Sequence, residues 1–274
     1  MAVLAEVLGI SESRVYFIIK NLNTNEIKEE KPMSLKDQEI ALKIEEIVKQ
    51  NPQYGYRKVY AILRFRMKVP IYRNKVYEIM RKKKLLLPAS TTSKKLFKGV
   101  PFSLKVEAQR PNQLWGIDMT QIWCGTDGWG YMHAVIDHYD KTLLGYNFSR
   151  SCKAIGGVMA LSDAASKRDI VSLELRSDNG CHYGAKIFRE ELTRLGINHT
   201  RTMVNTPKGN AVIERFFRTL KQECVWINDF KNFDEAKPIV DAWVQKYNSE
   251  RPHQTLGYLT PDEFFEKQTL QKIS

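Results

Sequence analysis

The sequence predicts an α/β protein with a mixed sheet at its centre and a separate helical module in front of it. Three observations carry that expectation. Between Asn112 and Arg150 three strand-length runs are joined by tight turns; from Lys153 onward helical and extended patterns alternate; and residues 34–88 read as three short helices. At 274 residues the chain is long enough for one substantial core plus a smaller unit.

Taken in order, Ala2 to Lys20 reads as a short helix, a break at Gly9-Ile10-Ser11 with Ser11 as N-cap, and a second helix carrying Val15, Ile18 and Ile19. Residues 1–22 thus form either the stub of a helix-turn-helix or a small packing or dimer-contact element. A polar linker from Leu22 to Met33 precedes the module at 34–88. There Ser34 and Asp37 suggest a capping box, and Ile40, Ile44, Ile47 and Val48 follow at helical spacing up to Asn51-Pro52. A second helix opens at Tyr54-Gly55-Tyr56 and bears Val59, Ile62 and Leu63, and a third spans about Arg73 to Lys83 with Val76, Ile79 and Met80 inside. The stretch 89–110, with Lys94, Lys95, Lys98 and Lys105 among turn residues, is a basic linker suited to lie along phosphates.

The core is expected over 111–228. A strand around Asp118 turns at Thr126-Asp127-Gly128, a second runs from Tyr131 to Asp137, and a third from Leu143 to Arg150 after the Asp140-Lys141 turn. A helix from Lys153 to Lys167 leads to the strand that ends at Asp178. A helix with Ile187, Leu192 and Leu195 then stops at Gly196, ahead of a short strand, a loop from Met203 to Asn210 and the helix of Glu214. Residues 229–274, with a helix carrying Val240, Trp243, Val244 and Tyr247, complete the core.

The formal net charge of +12 favours a polyanionic partner, with nucleic acid the natural one. No apolar run approaches the roughly 18 residues that span a bilayer. Four scattered cysteines without a Cys-x-x-Cys pair indicate neither zinc nor a disulfide framework, and the start lacks a signal peptide, so a cytoplasmic location is expected.

Three carboxylates stand out. Asp118 interrupts an apolar strand, where a charge is expensive unless paired or metal-bound. Asp178 ends a short apolar run in Ser177-Asp178-Asn179-Gly180, placing it at the C-terminal end of a strand, where open α/β sheets put their chemistry. Glu214 lies on a helix whose apolar stripe is Ile213, Phe216, Phe217, Leu220 and Cys224, with Arg218 and Lys221 sharing the glutamate's polar face. Three such acids can hold two Mg²⁺ or Mn²⁺ ions about 3.5–4 Å apart, the arrangement that cleaves phosphodiesters.

Together, the Asp-Asn-Gly turn, Asn210-Ala211-x-x-Glu214 and Lys221 two turns on resemble the retroviral-integrase and DDE-transposase catalytic core. More narrowly, nearly the whole chain resembles the second reading-frame product of insertion-sequence-three family transposases. The resemblance implies a ribonuclease H-like core in which the first and fourth strands are neighbours, bringing Asp118 beside Asp178. It implies catalysis and metal binding by Asp118, Asp178 and Glu214, with two Mg²⁺ ions per site. Read from its own residues, the loop from Met203 to Asn210, with Pro207, Lys208 and Gly209, would either let Glu214 swing into place only when DNA is bound or be a surface loop with no catalytic role. The helical module resembles the family's helix-turn-helix, which nominates Arg73, Asn74, Lys75 and Glu78 for the major groove and Lys82, Lys83, Lys94 and Lys95 for phosphates. Lys208, Arg218 and Lys221 are nominated to grip phosphates near the acids.

Expected partners are double-stranded DNA, both terminal inverted repeats and target, further copies of the chain in at least a dimer on DNA, and the product of an upstream reading frame; nucleoid association follows. Asp137 is a decoy acid with a structural role, Arg251 and His253 are supports of the core, and the remaining histidines show no metal-ligand spacing. Two rivals stand beside this reading. A ribonuclease H-like nuclease that only hydrolyses leaves the basic linker and the module without a purpose, and a transposase-derived DNA-binding regulator would not need all three acids.

Overall fold

A computed structural model of the chain describes residues 33–88, 108–202 and 210–273. The expected elements in residues 1–32, the basic linker and the loop before the Glu214 helix lie largely outside them.

The module comprises α1 (Leu35–Gln50), α2 (Tyr56–Ala61) and α3 (Arg73–Lys82). Ser34 caps α1, its hydroxyl accepting from the Asp37 amide at 3.2 Å. Ile44, Val59, Leu63, Val76 and Met80 meet in the module's own buried centre. One departure from the expected helices is the turn Ile62–Arg66, which widens into a π-helix at the end of α2. Its residues carry helical periodicity, and local pattern does not distinguish the two ladders.

The core contains β1 (Leu114–Trp123), β2 (Trp129–Asp137), β3 (Leu143–Ser149), α4 (Ala154–Lys167), β4 (Glu174–Ser177), α5 (Cys181–Gly184), α6 (Lys186–Leu195) and β5 (Asn198–Arg201). The chain then continues through α7 (Ala211–Glu223), α8 (Phe233–Ser249) and α9 (Pro261–Ile273). The sheet order is β3-β2-β1-β4-β5, with β1 antiparallel to β2 and parallel to β4. The expected neighbouring of first and fourth strands is thus observed. Gly196 ends α6 in the left-handed conformation, φ 66°, which a glycine adopts without a Cβ penalty. The short α5 and the terminal α9 were not anticipated as helices.

Strand alternation divides β1 between two cores. Trp115 and Ile117 pack with Ala160, Leu161 and Ala164 of α4 and Phe188 of α6, whereas Ile122 faces Ile213, Phe216 and Leu220 of α7. Gly116 and Asp118, of the same parity as Ile122, therefore lie on the α7 face. Among the described residues no helix is long and apolar enough to cross a membrane. All four cysteines are free, Cys124 and Cys224 buried, Cys152 and Cys181 exposed.

Candidate active site

The register of the two parallel strands sets the first two acids. Leu114 pairs with Glu174 and Gly116 with Arg176, so two residues further along each chain Asp118 stands level with Asp178. Asp118 is half-buried and accepts from the Met119 amide at 2.7 Å, and Asp178 is exposed and accepts from the Gly180 amide at 2.9 Å in the Asp-Asn-Gly turn. Glu214 projects exposed from the first turn of α7. Burial, and then the like charges of Asp178 and Glu214, raise the Asp118 carboxyl from 3.8 to about 7. Among the described residues, no three acid, histidine or cysteine side chains close into a cage around a metal ion.

A contact that sequence reasoning did not assign fixes the start of α7. The Asn210 side chain donates to the Ile117 carbonyl at 3.1 Å, tying the head of the glutamate helix to the strand of Asp118. Gly116 makes room for it. A Cβ there would come within 2.6 Å of His138 Nε2 and 2.7 Å of Asn210 Oδ1. Among the described residues neither of those atoms makes a well-formed hydrogen bond, yet Asn210 sits close enough to favour protonation of the ring, while burial, the larger effect, pushes His138 down to about 4. The sequence signal was position and motif: Gly116 lies two residues before one acid, and Asn210 opens the Asn210-Ala211-x-x-Glu214 motif four before another.

The remaining nominated residues are dispersed. Arg73 and Asn74 are exposed at the head of α3, as is Glu78 one turn on. Lys75 is paired with Asp37 at 2.8 Å and Lys83 with Glu45 at 3.0 Å, both within the module. Lys82 is half-buried at the end of α3. Arg218 and Lys221 share α7 with Glu214, the first exposed and the second half-buried. Lys94, Lys95 and Lys208 lie outside the described residues.

Asp137 is fully buried and accepts from the Asn112 and Tyr139 amides at 2.7 and 2.6 Å. Arg251 donates to both oxygens of buried Glu223 at 2.8 Å, and His253 packs edge-on against Tyr247 at 4.9 Å. These three act as supports of the core.

A mixed five-stranded sheet carrying acids at adjacent strands and on the flanking helix defines the integrase type of nucleotidyl-transfer fold, and comparison with known proteins agrees. Residues 34–90 match the HTH-like domain family, while 108–207 and 195–261 match two families described as integrase core domain. The chain therefore carries an integrase core behind an HTH-like domain. It is homologous to the transposase InsD of insertion element IS2 from Escherichia coli, 28% identical over 254 residues, 87% of this chain and 82% of that protein. Among solved structures, a simian T-cell lymphotropic virus intasome in complex with PP2A regulatory subunit B56 gamma contains a chain 14% identical to this one. It superimposes with a TM-score of 0.51, covering 81% of this chain and 74% of that one, and the likeness is one of fold. The HTLV-2 integrase catalytic core domain in complex with magnesium is 16% identical, with a TM-score of 0.47 over 57% of this chain and 98% of that one.

Proposed function

We propose that the chain is a metal-dependent DDE transposase that cuts the ends of its element and transfers the freed strand to another DNA. The observation that carries this reading is the parallel register that sets Asp118 level with Asp178 on the face covered by the Glu214 helix, in a homologue of an insertion-element transposase. Water attacks a phosphodiester at the element's end, the P–O3′ bond breaks, and the released 3′-hydroxyl then attacks a second phosphodiester, displacing its 3′-oxygen.

Asp118, Asp178 and Glu214 are the residues that would hold the cations. Their donor set is oxygen only, which suits Mg²⁺ or Mn²⁺ rather than zinc. The raised affinity of Asp118 for a proton fits the assignment, because a carboxylate crowded by burial and two like charges is relieved by a divalent cation. When bound, two such ions polarise the attacking oxygen and neutralise charge on the leaving one. The protein's own share is placement. Strand β1 fixes Asp118, the Gly180 amide orients Asp178, and the Asn210 bond to the Ile117 carbonyl sets where α7 begins.

Arg218 and Lys221, on the helix of Glu214, serve as phosphate contacts, together with Lys208. Arg73, Asn74 and Lys75, with Lys82, Lys83, Lys94 and Lys95, serve recognition of the element's ends by the 34–88 module. Catalysis on two ends requires at least two copies of the chain, and an upstream reading-frame product is a further partner. The chain divides, on this reading, into the module at 34–88, a basic connection, the catalytic core at 111–228 and a supporting tail.

Strand transfer tests the reading. Labelled duplexes ending in the sequences that flank the gene are incubated with protein and Mg²⁺ beside a Glu214→Gln control. Joined products lost in the control and without Mg²⁺ are the expected result. Binding without joining, both alone and after fusion to the upstream frame, would overturn the catalytic assignment in favour of a DNA-binding regulator.

A further inference from the structure

We propose that the cleft between the helical module and the Glu214 helix is a groove for one DNA strand, gripped through its phosphates by Arg57 and Arg215. The proposal rests on the transposase reading and adds to it a site distinct from the nominated phosphate contacts.

The cleft has a volume of about 1160 Å³ and is lined by residues of α2 and α3, of α7 and of the segment 251–258. Among the described residues no carboxylate lines it, while five cations do. Three of the five are already engaged within the protein. Lys58 and Arg251 share Glu223, and Lys141 donates to the His138 carbonyl. Arg57 and Arg215 remain, both exposed and neither in an ion pair among the described residues. Arg57 lies beside the Tyr56 ring, 5.6 Å from the centroid. Two guanidiniums, one from each unit, thus face the same space with no counter-charge among the described residues of its walls, the electrostatics that attract a polyanion.

The rest of the lining argues for a strand rather than a free anion. Tyr56, Tyr77 and Tyr258 present aromatic surface in the same walls, and aromatic faces beside a cationic track are how proteins hold unpaired bases and sugars without reading their sequence. Helix geometry places the site relative to the acids. Arg215 directly follows Glu214 and so points about 100° around α7 from it, on the face that carries Val212 and Thr219 into the cleft. A strand held there passes from the module to the edge of the acidic face.

Salt-dependent binding decides the matter, with full-length protein carrying Arg57→Gln and Arg215→Gln, singly and together. The probe is a fluorescent duplex of the flanking end sequence with a short single-stranded overhang, titrated from 50 to 300 mM salt. Each lost phosphate contact lowers the slope of log K against log salt by about 0.7 for a single strand or 0.9 for a duplex. The double variant is expected to lose about 1.4 from the slope, two single-strand contacts, and to join ends at least tenfold less well, with an unchanged thermal midpoint. Arg57→Lys with Arg215→Lys should keep the slope, which a purely structural role would not require. An unchanged slope in the double Gln variant, or a change in oligomeric state in its place, overturns the groove. If wild-type protein neither binds nor joins these ends even when fused to the upstream frame, the transposase reading itself has failed. A wild type that joins beside a double variant that joins equally well defeats the groove alone.

Discussion

Replacing Glu223 with glutamine removes one charge from the place where module, glutamate helix and tail meet. The carboxylate is 7% exposed, contacts Lys58 of α2, and accepts from Arg251 through Nε and Nη2 at 2.8 Å each. Burial opposes its ionisation, yet the Arg251 and Lys58 contacts hold its pKa below the ordinary value. Burial and the neighbouring Arg251 meanwhile bring Lys58 down to about 8. Glutamine keeps the shape and removes the charge that both cations need. Breaking a buried pair on one side costs about 3–5 kcal/mol. Lys58 can escape by giving up its proton whereas Arg251 cannot, so the lower end, about 3 kcal/mol, is expected. For a protein of this size that lowers the thermal midpoint by roughly 6–12 °C. Lys58→Met leaves the two-pronged Arg251 contact intact and should cost less than half as much. Scanning calorimetry of wild type and the two variants at pH 7 measures both. A Glu223→Gln midpoint within 2 °C of wild type, or equal losses in the two variants, would refute the reasoning.

Asp118 gives the opposite outcome. Its folded pKa of about 7 lies above the ordinary 3.8, so the folded state holds the proton more tightly and stability falls as pH rises from about 4 to about 7. The ceiling on that loss is about 4 kcal/mol, reduced by the group's partial exposure. Asp118→Asn should therefore raise the midpoint of metal-free protein at pH 8 and leave it unchanged at pH 4, while abolishing the gain wild type shows with Mg²⁺; equal midpoints at pH 8 would exclude the crowded carboxylate. Burial depresses His133 and His138 to about 4 and His253 to about 2. Their contribution is complete above 6.5 and is lost as pH falls toward 4, so urea midpoints of His253→Gln should decline less than those of wild type between pH 6.5 and 4.5. Gly116→Ala places a methyl against His138 and Asn210, for a cost of about 1–3 kcal/mol. The same variant should lose strand transfer while keeping DNA affinity; an equal loss of both would mean that the contact serves folding alone.

Local pattern was sufficient for most elements. The Ser34 cap, the turns at Thr126-Asp127-Gly128 and Asp140-Lys141, the stop at Gly196 and the stripe of α7 are each written in a few adjacent residues, and the structure reproduces them. The π turn after α2 was not legible, because one extra residue in a helical ladder leaves the apolar spacing almost unchanged. The pairing of first and fourth strands came from family resemblance, since nothing in a four-residue strand names its neighbour.

The sequence by itself determined that this is an α/β protein with a helical module, a cationic surface and three acids in strand-end and helix contexts. Only the tertiary structure decided that Asn210 would reach the Ile117 carbonyl over a glycine, that Glu223 would join Lys58 to Arg251, and that Arg57 and Arg215 would share one cleft. Periodicity is a property of neighbours along the chain and survives in the sequence. Contacts between residues far apart along the chain exist only once the helices and sheet have packed, and packing depends on the shapes of all of them together.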